Sequence, residues 1–95
     1  MKNYEIMVIV RSDIDEKLVN ETSKSFEDLL KSYKSKVTVK EMGQKKFAYE
    51  INKQKSGFYF LFTVEASVEA INEFARKAEI DENVLRHLIV KLDEE

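Results

Sequence analysis

Apolar residues recur along this chain in two rhythms, every second position and every third or fourth, and the changes of rhythm divide it into six segments. Tyr4, Ile6, Val8 and Val10 alternate with Glu5, Met7, Ile9 and Arg11, which predicts a strand that is apolar on both faces. Met7 and Ile9 are informative, because a face turned only to water would carry more polar residues. Ser12-Asp13-Ile14-Asp15 supplies helix-start chemistry, with Asp13 or Asp15 as the cap. Leu18, Thr22, Phe26, Leu29, Leu30 and Tyr33 then follow at helical spacing and predict one buried stripe.

The next strand begins at Lys36-Val-Thr-Val-Lys40, breaks at Gly43 and resumes over Phe47 to Ile51. A bulge at Gly43 accounts for the break, since glycine adopts backbone angles closed to other residues. Polar residues and Gly57 separate this run from Phe58 to Val64, a hairpin signal in which Phe58, Phe60, Phe62 and Val64 share the core face and Tyr59, Leu61 and Thr63 the other. Ser67 is placed to cap a second helix with Glu69 in its first turn and Val68, Ile71, Phe74, Ala75 and Ala78 as its stripe. Asp81-Glu-Asn83 turns the chain into a last strand over Val84 to Leu92, ahead of the acidic end Asp93-Glu-Glu95. The predicted order is β-α-β-β-α-β: an α+β, ferredoxin-like split β-α-β with a four-stranded antiparallel sheet. Right-handed crossovers put both helices on one face and the first and third strands in the centre. Met7, Ile9, Tyr59 and Leu61 then fall on the open face, where aliphatic surface suits a protein partner.

Ninety-five residues suit a single domain, 1–95, with a short acidic tail. No cysteine is present, which removes disulfides, thiolate metal sites and cysteine nucleophiles. The apolar runs are far shorter than the ~20 residues that span a bilayer, and no secretory leader is visible at the start, so a cytoplasmic protein is expected. The net charge of −2 argues against a polyanion partner until its distribution is considered. Between Lys31 and Lys55 eight lysines face only Glu41 and Glu50, a balance of +6 that leaves −8 elsewhere. Lys45, Lys46, Lys53 and Lys55 collar an aromatic ribbon, a pattern that meets phosphate and bases; lysines blunting an exposed sheet edge are the plainer alternative.

Candidate catalytic chemistry is sparse. His87 is the only histidine and has no partner at a recognisable spacing. Asp13 and Asp15 lack the repeated ligands of a calcium loop. Arg11 followed by Ser12-Asp13 is a poor anion cradle for an acylphosphatase-like enzyme. The third strand lacks the glycine and basic residue of an RNA-recognition motif. No enzyme and no cofactor are therefore expected.

Lys45-Lys46-Phe-Ala-Tyr49-Glu-Ile51-x-Lys53, closing on Gly57-x-Tyr59, resembles the basic-basic-Leu-Ala-Tyr-Pro-Ile motif of the small-subunit ribosomal protein six family of bacteria. Met1-Lys-Asn-Tyr4-Glu-Ile6 resembles that family's opening, and Ile80-Asp-Glu-Asn83-Val-Leu-Arg86-His-Leu-Ile-Val90-Lys91 its last loop and strand. The departures are Glu50, where the family carries proline, and the short tail after Lys91. The resemblance implies a structural constituent of the small ribosomal subunit that binds the central domain, or platform, of 16S rRNA as a heterodimer with small-subunit ribosomal protein eighteen. Lys45, Lys46, Lys53 and Lys55 are the first candidates for phosphate contacts. Lys2, Tyr49, Arg86 and Lys91 follow through the matched motifs, whereas Tyr4 shares the face of Ile6 and Val8 and is better read as core. The competing expectation is a small regulatory or metabolite-binding domain that forms a homodimer.

Overall fold

The computed structural model describes residues 2–51 and 53–92; the expected acidic end, Asp93 to Glu95, lies outside them. The elements run β1 (Lys2–Arg11), α1 (Glu16–Ser32), β2 (Lys36–Ile51), β3 (Gln54–Ala66), α2 (Val68–Ile80) and β4 (Val84–Lys91). All neighbouring strands are antiparallel, in the order β2-β3-β1-β4. The alternation of the sequence thus becomes the ferredoxin-like α+β arrangement, with the two most apolar strands in the centre.

The core fills the space between the helices and one face of the sheet. Ile6, Val8 and Val10 of β1 and Phe60, Phe62 and Val64 of β3 are buried there beneath Val19, Phe26 and Leu30 of α1 and Ala70, Ile71, Phe74 and Ala78 of α2. Three aromatic rings tie the layers together. Phe74 lies 4.7 Å from Phe26 and 5.5 Å, edge-on, from Phe62, joining α2 to α1 and to β3. The Lys77 ammonium sits 5.2 Å above the Phe26 ring on its outer side.

The helix ends differ from expectation in instructive ways. Ser67 caps α2 through its hydroxyl, which accepts from the Ala70 amide at 3.2 Å. Asp15 occupies the corresponding position of α1, yet its side chain makes no capping bond, and Asp13 is drawn away to Arg11. At the other end of α1 the Lys34 amide donates to the Lys31 carbonyl and the Ser35 amide to the Leu30 carbonyl, with Lys34 at φ +63°. This is a Schellman closure in which lysine takes the left-handed position usually given to glycine.

Leu18 and Val68, expected in the helix stripes, are exposed instead. In α1 the buried line runs Val19, Thr22, Ser23, Phe26, Leu30, and Leu18, one residue back, is turned about 100° off it at 3.6 residues per turn. Val68 is the first residue after the cap, where the helix has barely reached the sheet. The hairpin is tighter than the run of polar residues suggests: β3 begins at Gln54, which pairs with Ile51. The last strand ends at Lys91, one residue earlier than expected.

Because Phe74 is fully buried and touches rings from two other elements, Phe74→Ala removes both ring contacts and leaves a cavity. It should lower the unfolding free energy by about 3–5 kcal/mol, read from urea denaturation followed by circular dichroism.

Candidate RNA and protein interface

Residues paired across an antiparallel ladder share a face, so the register maps the side of the sheet away from the helices. One row across it runs Leu88, Met7, Leu61, Lys40; the next runs Arg86, Ile9, Tyr59, Gly43; and Val90, Glu5, Thr63, Thr38 form a third. Leu88 is 61% exposed and Val90 43%, while Met7 and Leu61 beside them are half-buried. The open face therefore carries an apolar patch that spans β4, β1 and β3. Leu88 and Val90 belong to it although only Met7, Ile9, Tyr59 and Leu61 were expected. The signal was available in β4, where Leu88 and Val90 alternate with His87 and Ile89.

Ile9 is a correction to the expected partner surface, since at 7% exposure it is covered by its own chain. The cause lies in the hairpin. A Cβ on Gly57 would fall 2.8 Å from Ile9 Cγ2, 2.9 Å from Phe47 Cζ and 3.0 Å from the Val10 carbonyl oxygen. The missing side chain is what lets Phe47 close over Ile9 and come within 6.2 Å, ring to ring, of Tyr59. Gly43 serves a different need: it has open space around it but sits at φ +83°, at the register shift between Glu41 and Gly43. That is the expected bulge.

A second, larger irregularity was not expected. Lys46 pairs with Ser56 and Ile51 with Gln54, so β2 spends more residues than β3 over this interval and residues 47–50 are skipped by the ladder. The motif Phe47-Ala-Tyr49-Glu50 forms this excursion. Phe47 turns onto the sheet, and Tyr49 stands out at 86% exposure. Glu50 in place of the family's proline falls on a position with no β3 partner in the register, so neither residue disturbs the pairing.

The loop after β1 fastens the hairpin. Ser12 Oγ donates to the Ser56 carbonyl at 3.2 Å and lies 3.0 Å from Ser56 Oγ, which also accepts from Gln44 Nε2. Gln54 Nε2 donates to Asp13 Oδ2 at 3.2 Å, and Arg11 grips both oxygens of Asp13, with Nη2 at 2.8 Å. The hydrogen bond and charge of Arg11 hold the Asp13 carboxyl below its usual pKa. Asp13 in turn neutralises Arg11, so this loop offers no free cation to an anion.

The expected phosphate contacts divide into two groups. Lys45, Lys46, Lys53 and Lys55 are all exposed at the free end of the β2–β3 hairpin, Lys45 level with the point where β1 leaves it at Arg11 and Gly57 and the other three beyond it. Lys53 sits at the turn with φ +66°. Among the described residues none of these four takes part in an ion pair. Arg86 lies on the open face near them and shares a hollow with Tyr49 and Tyr59. Lys2 and Lys91 lie at the opposite end of the sheet, paired with Ala66 and Tyr4. With ~3.4 Å per residue of strand, Tyr4 and Arg11 are roughly 24 Å apart. Tyr4 itself is core, in keeping with its place beside Ile6 and Val8.

A ferredoxin-like sheet with one face open, an apolar patch in its middle and exposed lysines on a projecting hairpin has the features of a module that binds other macromolecules. The family model of ribosomal protein S6 matches residues 3–91, and the chain belongs to that family. It is thus a non-enzymatic structural component of the small ribosomal subunit, cytoplasmic, which binds small-subunit RNA and ribosomal proteins. Among solved structures it is similar to the 30S ribosomal protein S6 of Thermotoga maritima, with a TM-score of 0.91 over 96% of this chain and 87% of that one at 22% identity. The two therefore share the fold.

The close approach at Gly57 makes a direct prediction. Gly57→Ala should cost about 1–3 kcal/mol of stability, since the Val10 carbonyl is backbone and cannot yield, and hydrogen exchange should rise over β2 residues 44–51 before the rest of the sheet.

Proposed function

We propose that this single ferredoxin-like domain docks on the central domain, or platform, of 16S rRNA together with small-subunit ribosomal protein eighteen, using two adjoining surfaces for the two partners. The observation that carries this reading is their continuity: the exposed lysines of the hairpin adjoin the uncovered sheet. Lys45, Lys46, Lys53 and Lys55 meet RNA phosphates, because a mobile ammonium neutralises backbone charge without reading sequence. Arg86 extends that surface onto the sheet. Lys2 and Lys91, at the far end, serve a separate and smaller RNA contact. Met7, Leu61, Leu88 and Val90 receive the protein partner, since removing this patch from water favours docking by ~25 cal/mol per Å² before ordering costs. Tyr59 borders both.

The two surfaces are separable by mutation. Lys45→Glu with Lys46→Glu should weaken binding to a central-domain RNA fragment and lower the slope of log affinity against log salt by about one per lysine, measured by filter binding across a salt series. Unchanged affinity and slope would remove the hairpin from the RNA surface. Leu88→Glu changes an exposed residue and should leave the fold intact. It should nevertheless weaken association with ribosomal protein eighteen by roughly 30-fold or more, because the carboxylate is desolvated without a partner. Calorimetry showing native affinity for that protein would place the interface elsewhere.

A further inference from the structure

Tyr49 is an aromatic ring at 86% exposure within a short stretch whose other aromatic, Phe47, is folded down onto the sheet. The excursion of residues 47–50 from the ladder produces both outcomes, and it opens a hollow on each side of itself. One, of about 400 Å³, is lined by Lys46, Tyr49, Glu50 and Lys55 among others. The other, of about 270 Å³, brings Tyr49 together with Tyr59, Arg86 and Lys46. This second hollow is smaller than the ~300–1,000 Å³ of a typical small-molecule site and suits one flat ring entering from outside. Three cations, Lys46, Lys55 and Arg86, against Glu50 alone give the surroundings a positive balance, which selects a ring attached to negative charge over an aromatic or proline side chain of a protein.

We infer that Tyr49 is a stacking platform for one unpaired base of the small-subunit RNA, with Arg86 and Lys46 holding the phosphates that flank it. This rests on the RNA reading above and narrows it. A paired base presents only its edges, with both faces covered by its neighbours, so the site requires a bulged, loop or junction nucleotide rather than a continuous helix. Stacking on an aromatic ring tolerates any base; the arrangement therefore recognises an unstacked position by shape. Lysines on the hairpin then bind by charge, and Tyr49 decides where along the RNA the hairpin settles.

The test compares Tyr49→Leu with Tyr49→Trp, both at an exposed position, on a central-domain RNA fragment with ribosomal protein eighteen present. Tyr49→Leu should lose roughly ten-fold in RNA affinity, the scale of one stacked base, with no change in salt slope because no charge is removed. Tyr49→Trp should retain the affinity, and because the chain has no other tryptophan its emission should be quenched as RNA binds. If Tyr49→Leu binds RNA as well as the parent while Lys45→Glu with Lys46→Glu binds weakly, the RNA reading survives and the stacking platform does not. A loss that appears equally in the complex with ribosomal protein eighteen alone, without RNA, gives the hollow to the protein and overturns the inference. Failure of the parent chain itself to bind the fragment would remove both readings together.

Discussion

The contact of Phe74 with Phe26 and Phe62 governs the layout of this molecule. Two right-handed crossovers send both helices to the same side of the sheet, and the three rings seal them there in one core. Every consequence for function begins with that one-sidedness. Among the described residues no further element covers the second face, so Leu88, Val90, Met7 and Leu61 stay available to another molecule. Neighbouring apolar side chains left open on a sheet surface are a feature of interaction sites.

Irregularities in the ladder then shape what the open face offers. Gly43 bends β2 through a bulge that its φ of +83° permits. Residues 47–50 leave the pairing altogether, and Leu85 is the extra residue where β4 shifts against Ile9 and Val10. Such departures re-aim side chains that a regular strand would alternate strictly. Here they bury Ile9 under Phe47 and present Tyr49. The two glycines support this in separate ways, Gly43 by its backbone angle and Gly57 by the room it leaves.

Charge is arranged by the same logic. Lys31 with Glu27, Arg76 with Glu73 and Lys24 with Asp28 pair within their own helices, at 2.9, 2.9 and 3.9 Å. Exposed pairs of this kind add little stability, but they neutralise three of the helix cations, while Lys77 lies over the Phe26 ring. Arg11 is neutralised by Asp13. Among the described residues the hairpin lysines have no carboxylate partner, so a chain of net charge −2 gathers exposed positive charge at one end of its sheet.

The strand order, the helix positions, the Ser67 cap, the Gly43 bulge and the basic hairpin were all legible in the sequence, because each depends on periodicity, on a backbone requirement or on charge spacing within a few residues. Leu18 was misread because its neighbour Val19 fits the same helical period and takes the buried place, and Val68 because period alone does not show how little a first-turn residue is covered. Asp13 passed for a cap until its position beside Arg11 and Gln54 was known. The burial of Ile9 and the outward turn of Tyr49 depended on register: which residues of β4, β1, β3 and β2 lie side by side is set by contacts between segments distant in the chain. Local pattern determined which elements form and which faces are apolar. Tertiary pairing alone decided which of those apolar residues cover one another and which are left for a partner, because burial belongs to neighbours in space.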